Sequence, residues 1–163
     1  MTGETLGEAL VAQFGPEWIS AADWTASCPC LVLAPAHLVP VCEWLHDEYF
    51  DHCACLTGLD NGPAAGTLEV VYQLYSIPEN LHLALKVVLP RNAEGQPPPQ
   101  LPSVAHIWRT AEWHEREVYD LFGIGFANHP DLRRILLPAD WEGHPLRKDY
   151  AEQAKYHGLK VEY

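Results

Sequence analysis

Apolar residues along the first half of the chain recur at two different periods. Leu6, Leu10 and Phe14 fall at helical spacing within residues 4–14, behind Thr2 or Thr5 as a cap, and Gly15-Pro16 ends the run, which predicts a short amphipathic helix. Cys30 to Ala34 reads as a brief buried strand. Apolar positions 38, 41, 42, 45 and 49 then predict a second helix over Leu38 to Phe50, packed on a sheet. Residues 53–59 form a strand that Asp60-Asn61-Gly62-Pro63 turns. Two β-rich runs follow, Thr67 to Ser76 and Leu81 to Leu89, and the short turn between them predicts antiparallel neighbours. Pro90 to Pro102 is a solvated connection whose prolines favour extended backbone.

The clearest periodicity lies further on. Ser103 is placed to cap a long helix running to about Phe122, where Gly123-Ile124-Gly125 stops it. Val104, Ile107, Trp108, Ala111, Val118 and Phe122 share one side of such a helix at about 100° per residue. Glu115 sits at the centre of that stripe, while Arg116, Glu117 and Asp120 point elsewhere and make a charged opposite side. After Phe126 the chain is dense in Pro, Gly and charges, with one apolar run from Ile135 to Leu137, and reads as ordered but irregular surface structure. The expected organisation is a single domain over residues 1–150 and an extended tail over 151–163.

A chain of 163 residues with 48% hydrophobic and 20% charged positions can bury a core. Its net charge of −12 repels a phosphate backbone, so nucleic acid is not an expected partner. The charge is uneven: Lys86 is the first base, and the eleven acids before it give that stretch −11 against −1 for the remainder. The longest uncharged stretch, Trp24 to Cys42, reaches the length of a membrane span, but Pro29, Pro35 and Pro40 interrupt it. The start, MTGETLGEAL, has neither a basic nor an apolar signal region, so no secretion signal is expected.

Five cysteines, Cys28, Cys30, Cys42, Cys53 and Cys55, are an odd number without a secretion signal, which argues for reduced thiols. Their C-P-C and C-A-C spacings match neither zinc nor iron–sulfur patterns. On a strand Cys53 and Cys55 would share a face, and with His46, Asp47, Asp51 and His52 nearby they form a candidate metal site. A buried thiol acting as a small hydrophobe is the commoner case.

Short catalytic motifs fail on inspection. His114-Glu115 opens like the zinc-protease pattern, but Val118 stands where the second histidine belongs. Gly123-x-Gly125 follows a helix instead of a strand and lacks the third glycine of a dinucleotide loop. Glu115 is different, because a carboxylate on an apolar face is costly unless paired. Arg133, Arg134, Arg147 and Lys148 are the available bases, and Arg133 or Arg134 is the expected ion-pair partner. An interface position, an exposed one, or a general-acid role stand as alternatives. The concentration of bases in residues 126–150 further suggests that this segment is a docking surface, with Trp141 and Tyr150 as aromatic anchors.

A longer pattern is far more specific. Glu115-Arg116-Glu117-Val118-Tyr119-Asp120-Leu121-Phe122-Gly123-Ile124, then Phe126, His129-Pro130-Asp131-Leu132-Arg133-Arg134-Ile135-Leu136, and Trp141-Glu142-Gly143-His144-Pro145-Leu146-Arg147-Lys148-Asp149-Tyr150 resembles the thirty-kilodalton subunit family of respiratory NADH:quinone oxidoreductase, or complex I, also called its C subunit. Val71 to Ser76, Leu85-Lys86-Val87 and Pro102-Ser103-Val104 also look like that family, so the resemblance covers roughly residues 31–150. Two departures are visible: Asn128 stands where the family usually has Gly, and the chain ends soon after Tyr150, short of the extension many relatives carry, which implies fewer contacts to neighbours.

The resemblance implies an α+β fold, a small mostly antiparallel sheet packed by helices with a long helix and an irregular C-terminal segment after it. It implies a structural subunit of the peripheral arm of complex I, beside the large quinone-site subunit on the cytoplasmic face of the inner (plasma) membrane. No catalytic, cofactor or metal residue is expected in this chain; NADH, FMN, iron–sulfur clusters and quinone would belong to the assembled complex. Arg116, Glu117, Asp120, His129, Pro130, Trp141, Arg147, Lys148, Asp149 and Tyr150 are the family-motif positions expected at its interface. The equivalent subunit of an energy-converting hydrogenase or ferredoxin-using complex is the nearest alternative, and a free-standing metal-binding protein using His46, His52, Cys53 and Cys55 is a third.

Overall fold

The computed structural model describes residues 3–93 and 96–161. The elements in chain order are α1 (Gly3–Phe14), β1 (Ile19–Asp23), β2 (Cys30–Leu33), α2 (Leu38–Glu48), β3 (His52–Asp60), β4 (Thr67–Ser76), β5 (Leu81–Pro90), β6 (Gln100–Pro102), α3 (Ala111–Phe122), β7 (Gly125–Ala127), β8 (Lys155–Tyr156) and β9 (Leu159–Lys160). The fold is α+β. Five strands form one sheet in the order β1-β2-β5-β4-β3, in which only β2 and β5 run parallel.

Period-2 alternation decides which face of the sheet is covered. Leu31 and Leu33, Cys53 and Leu56, Leu68 to Leu74 at every second position, and Leu83 to Leu89 likewise, join Leu6 and Leu10 of α1, Val41 and Leu45 of α2, and Val118 and Phe122 of α3 in one core. The opposite face carries Glu69, Gln73 and Lys86, with Glu69 and Lys86 paired at 3.0 Å. Gly58 lets α3 approach β3 closely, since a Cβ there would lie 2.6 Å from the Phe122 ring.

Several sequence expectations change. The helix expected from Ser103 begins at Ala111 instead. Residues 100–102 are strand β6, paired in parallel with β7, and the Ser103 amide continues that pairing to the Ala127 carbonyl at 2.9 Å. A single turn follows, with the Ile107 and Trp108 amides bonded to the Val104 carbonyl. Its i, i+3, i+4 spacing matches a helix, so Val104 and Trp108 still reach the core. The Trp108 indole donates to the Phe50 carbonyl at 3.0 Å and Thr110 Oγ1 to that of Cys53 at 2.8 Å, which fixes this turn to the start of β3.

Cys53 and Cys55 do not share a face. A register shift between them leaves Ala54 as an extra residue, so Cys53 is buried and Cys55 exposed. Thr5 lies inside α1, and Thr2, the other expected cap, lies outside the described residues. Beyond Tyr150 the chain folds back in a β8–β9 hairpin whose turn, His157-Gly158, has positive φ at both residues. Asn128 adopts a left-handed φ of 63°, the conformation for which a glycine would otherwise be suited.

Candidate functional site

The residues of the long motif converge on α3, where two buried carboxylates five residues apart point about 140° away from each other at about 100° per residue. Glu115 turns toward the sheet and Asp120 toward the C-terminal segment; both are fully buried. Gly123 ends the helix with φ 66°, its amide bonded to the Tyr119 carbonyl, and a Cβ at that position would collide with the His144 ring.

Asp120 organises everything beyond β7. Its Oδ2 accepts the amides of Ile135, Leu136 and Leu137 at 3.1, 2.8 and 2.9 Å, and its Oδ1 accepts Arg134 Nη1 at 2.7 Å. Arg134 passes on to the carbonyls of Trp141 and Gly143, both at 2.9 Å, and His144 Nδ1 donates to the Asp120 carbonyl at 2.9 Å. Burial alone would raise the Asp120 carboxyl, but the Leu137 amide, Arg134 and the Leu136 and Ile135 amides outweigh it and hold the pKa below the usual value.

A second buried network closes the same segment onto the sheet. Asp60, at the end of β3, accepts the Gly62 amide at 2.8 Å and the Lys148 amide at 2.7 Å, and pairs with Arg91, which also pairs with Asp149. Arg147 donates through Nε to the Phe122 carbonyl at 2.6 Å and through Nη2 to Asn92 Oδ1 at 2.9 Å. The Trp141 indole donates to the Tyr150 hydroxyl at 3.1 Å. Asn92, His144, Arg147 and Tyr150 line a cavity of about 430 Å³ beside these contacts.

Glu115 is not paired with an arginine. Its Oε2 lies 2.6 Å from the Ser103 hydroxyl and its Oε1 accepts the Val104 amide at 2.8 Å. Arg134 is taken by Asp120 on the other side of the helix, and Arg133 is exposed and bonded to Asp131. His129 Nε2 is 3.8 Å from Glu115, but that ring donates from Nε2 to the Glu112 carbonyl at 2.9 Å and accepts the Asp131 amide at Nδ1, so the imidazole is committed elsewhere. Burial therefore dominates, against the opposing pull of Ser103 and Val104, and pushes the Glu115 carboxyl up to about 7.

The expected charged outer side of α3 is also revised. Arg116 is buried with Asp120, because the C-terminal segment wraps over that side: its guanidinium donates to the carbonyls of Arg133 and Arg134 and lies 5.3 Å over the Trp113 ring. Of the residues expected at an interface, Arg116, Asp120, His129 and Arg147 serve internal bonds, and Asp149 is shared with Arg91. Trp141 and Tyr150 are half-buried and bonded to one another, whereas Glu117, Pro130 and Lys148 are exposed. No motif marks the Asp60–Arg91 pair, and Ser103 acts as a carboxyl partner in place of a helix cap; an acid ending β3 and a base following β5 on adjoining turns are the signal for the pair. Among the described residues no group of three or more His, Cys, Asp or Glu is placed to hold a metal, and the bulge at Ala54 separates the thiols of Cys53 and Cys55. Among the described residues, too, no helix is long and apolar enough to cross a membrane.

Comparison with known proteins extends this picture over most of the chain. The family described as respiratory-chain NADH dehydrogenase, 30 Kd subunit, matches residues 31–156. Over 115 residues the chain is 52% identical to the C subunit of NADH-quinone oxidoreductase from Chloroherpeton thalassium, covering 70% of this chain and 45% of that protein. The corresponding protein of Chlorobium phaeobacteroides is 51% identical over 70% of this chain and 66% of its own length. That of Geobacter sulfurreducens is 43% identical over 76% and 74%. The chain thus spans about half to two thirds of the first two relatives. Among solved structures, the trypsin-resistant fragment of Nqo5 is similar with a TM-score of 0.62 and 29% identity, covering 79% of this chain and 97% of that one. A chain from the membrane-bound sulfane sulfur reductase, an archaeal respiratory membrane complex, shares the fold with a TM-score of 0.78 at 22% identity, over 93% and 87%.

Proposed function

The chain belongs to the 30 Kd subunit family of respiratory-chain NADH dehydrogenase, and from that membership we propose that it is a non-catalytic structural subunit of the peripheral arm of a proton-translocating NADH:quinone oxidoreductase. In this reading it docks beside the large quinone-site subunit on the cytoplasmic face of the membrane, and NADH, FMN, iron–sulfur clusters and quinone are held by its neighbours. The observation that carries the proposal is the family match over residues 31–156, which takes in β2 to β5, α3 and the whole segment organised by Asp120.

The docking surface follows from what the internal networks leave over. Arg116, Asp120, His129 and Arg147 shape the segment from within, and contact falls to the groups that remain outside. Trp113, Leu136 and Leu146, on α3 and its wrapping segment, are 57%, 61% and 52% exposed, and Glu117 and Lys148 are exposed as well, so these are the groups offered to a partner.

Affinity purification of a tagged chain from its source cells, followed by identification of the bound subunits, tests the proposal. The large quinone-site subunit together with NADH- and flavin-binding subunits is the expected set. Hydrogenase or ferredoxin-linked subunits in place of the latter would move the chain to the alternative complex, and recovery of the chain without oxidoreductase subunits would contradict the reading.

A further inference from the structure

Glu115 occupies the junction of three short pieces of chain: α3 itself, the Ser103–Val104 turn after β6, and the His129 turn after β7. The titratable groups that feel its charge are Cys42 of α2, Cys53 of β3 and Tyr72 of β4, and His129 Nε2 lies 3.8 Å away. Among the described residues none supplies a positive charge: the thiols and the phenol have no cationic form, and His129 directs its Nε2 proton to the Glu112 carbonyl and accepts the Asp131 amide at Nδ1. Among the described residues the Tyr72 hydroxyl has no hydrogen-bond partner, so this part of the interior does not compensate even a neutral polar group completely. An ionised carboxylate there keeps its two bonds to Ser103 and Val104 but lacks any cation, and its cheapest relief is contact with water.

The route to water is set by the weakest surrounding piece. β6 and β7 pair over three residues, against ten between β4 and β5, and β6 carries the turn that holds the carboxyl. We propose that Glu115 is a proton-controlled latch: the neutral carboxyl seats the Ser103–Val104 turn and the β6–β7 pair against α3, and loss of its proton loosens that seat while the five-stranded sheet stays intact. The direction follows from linkage. The folded state holds this proton to higher pH than the unfolded chain, so the stability it brings is fully present below the ordinary carboxyl range and is lost as pH rises through about 7.

The test is urea unfolding of the full chain between pH 4.5 and 8.5 for the wild type and Glu115→Gln, with a ¹³C titration of the wild-type Glu115 carboxyl and amide exchange at Ser103 and Val104. Across this range the wild-type unfolding constant is expected to rise about 150-fold more than that of the variant, the factor a carboxyl moved from 4.5 to about 7 contributes between these two pH values. Exchange at Ser103 and Val104 should quicken with pH beyond the intrinsic base-catalysed increase, while the β4 and β5 amides show only that increase. Equal pH slopes in the two proteins, or a carboxyl that titrates in the ordinary range, would overturn the proposal. If Glu115→Gln does not fold, the carboxyl titration and the exchange pattern of the wild type decide alone.

Discussion

The two sides of α3 are built on opposite principles. Toward the sheet, the helix buries Val118 and Phe122 in the common core, and Glu115 is held there by two hydrogen bonds with no arginine or lysine paired to it among the described residues. Toward the C-terminal segment it buries Asp120 and Arg116, and nearly all of the cohesion is polar: three amides and a guanidinium on one carboxylate, and two carbonyls on one arginine. An apolar face holds regular elements that already satisfy their own backbones. A polar face can hold a segment that has no regular structure, because it supplies the backbone partners that helix or sheet would otherwise provide. The same buried carboxylate is therefore a liability on one side and an organising centre on the other. Their pH responses have opposite signs: the Asp120 contribution is present above the ordinary aspartate range and is lost as pH falls through its depressed value, whereas that of Glu115 is lost as pH rises.

The contrast breaks most visibly at Asp120. Asp120→Ala strands three amides and a half-buried arginine, and is expected to cost about 3–5 kcal/mol in urea unfolding of the isolated chain. Asp120→Asn keeps one acceptor and should fall between. On the opposite side, Ser103→Ala removes one of the two bonds to Glu115, with an expected cost of about 1–2 kcal/mol; because that bond lowers the carboxyl pKa, the Glu115 titration should move further up. Arg147→Ala loses its bonds to Phe122 and Asn92 and should lower the melting temperature of the isolated chain, by about 1 kcal/mol of stability. Lys148→Ala removes an exposed side chain whose backbone amide alone binds Asp60, and should stay within about 0.5 kcal/mol of wild type in the same melt. A pair in which Lys148→Ala unfolds the chain and Arg147→Ala does not would reverse the assignment of which base is internal.

The parts of the fold that are legible in the sequence are those with a period. β4 and β5 alternate over ten residues each, and α1 and α2 carry apolar stripes, so their positions can be read directly. β1 cannot, because four of its five residues are exposed and no alternation marks it. β6 and β7 are three-residue strands, too short for any period, and without them the start of α3 falls too early, at Ser103. The burial of Glu115 follows from its helical phase, since the turn at Val104 and Trp108 has helical spacing. Its partners do not follow, because phase says which way a side chain points and not which segment returns to meet it. The role of Asp120 is hidden for a related reason. Its partners are backbone amides 15–17 residues downstream, and amides leave no signature in composition. The signal present is indirect: a segment dense in Pro and Gly that forms neither helix nor sheet still needs acceptors for its amides, and buried carboxylates on the adjoining helix are where to look.

Residue-resolved amide hydrogen exchange on Asp120→Ala, compared with Glu115→Gln at pH 5, tests most directly whether the polar side of α3 builds the C-terminal segment. Asp120→Ala should strip protection from Ile135, Leu136 and Leu137 while the amides shared by β4 and β5 remain protected, and Glu115→Gln should leave all of these unchanged. Retained protection at residues 135–137 in Asp120→Ala, or an equal loss there and in the β4–β5 pair, would contradict it.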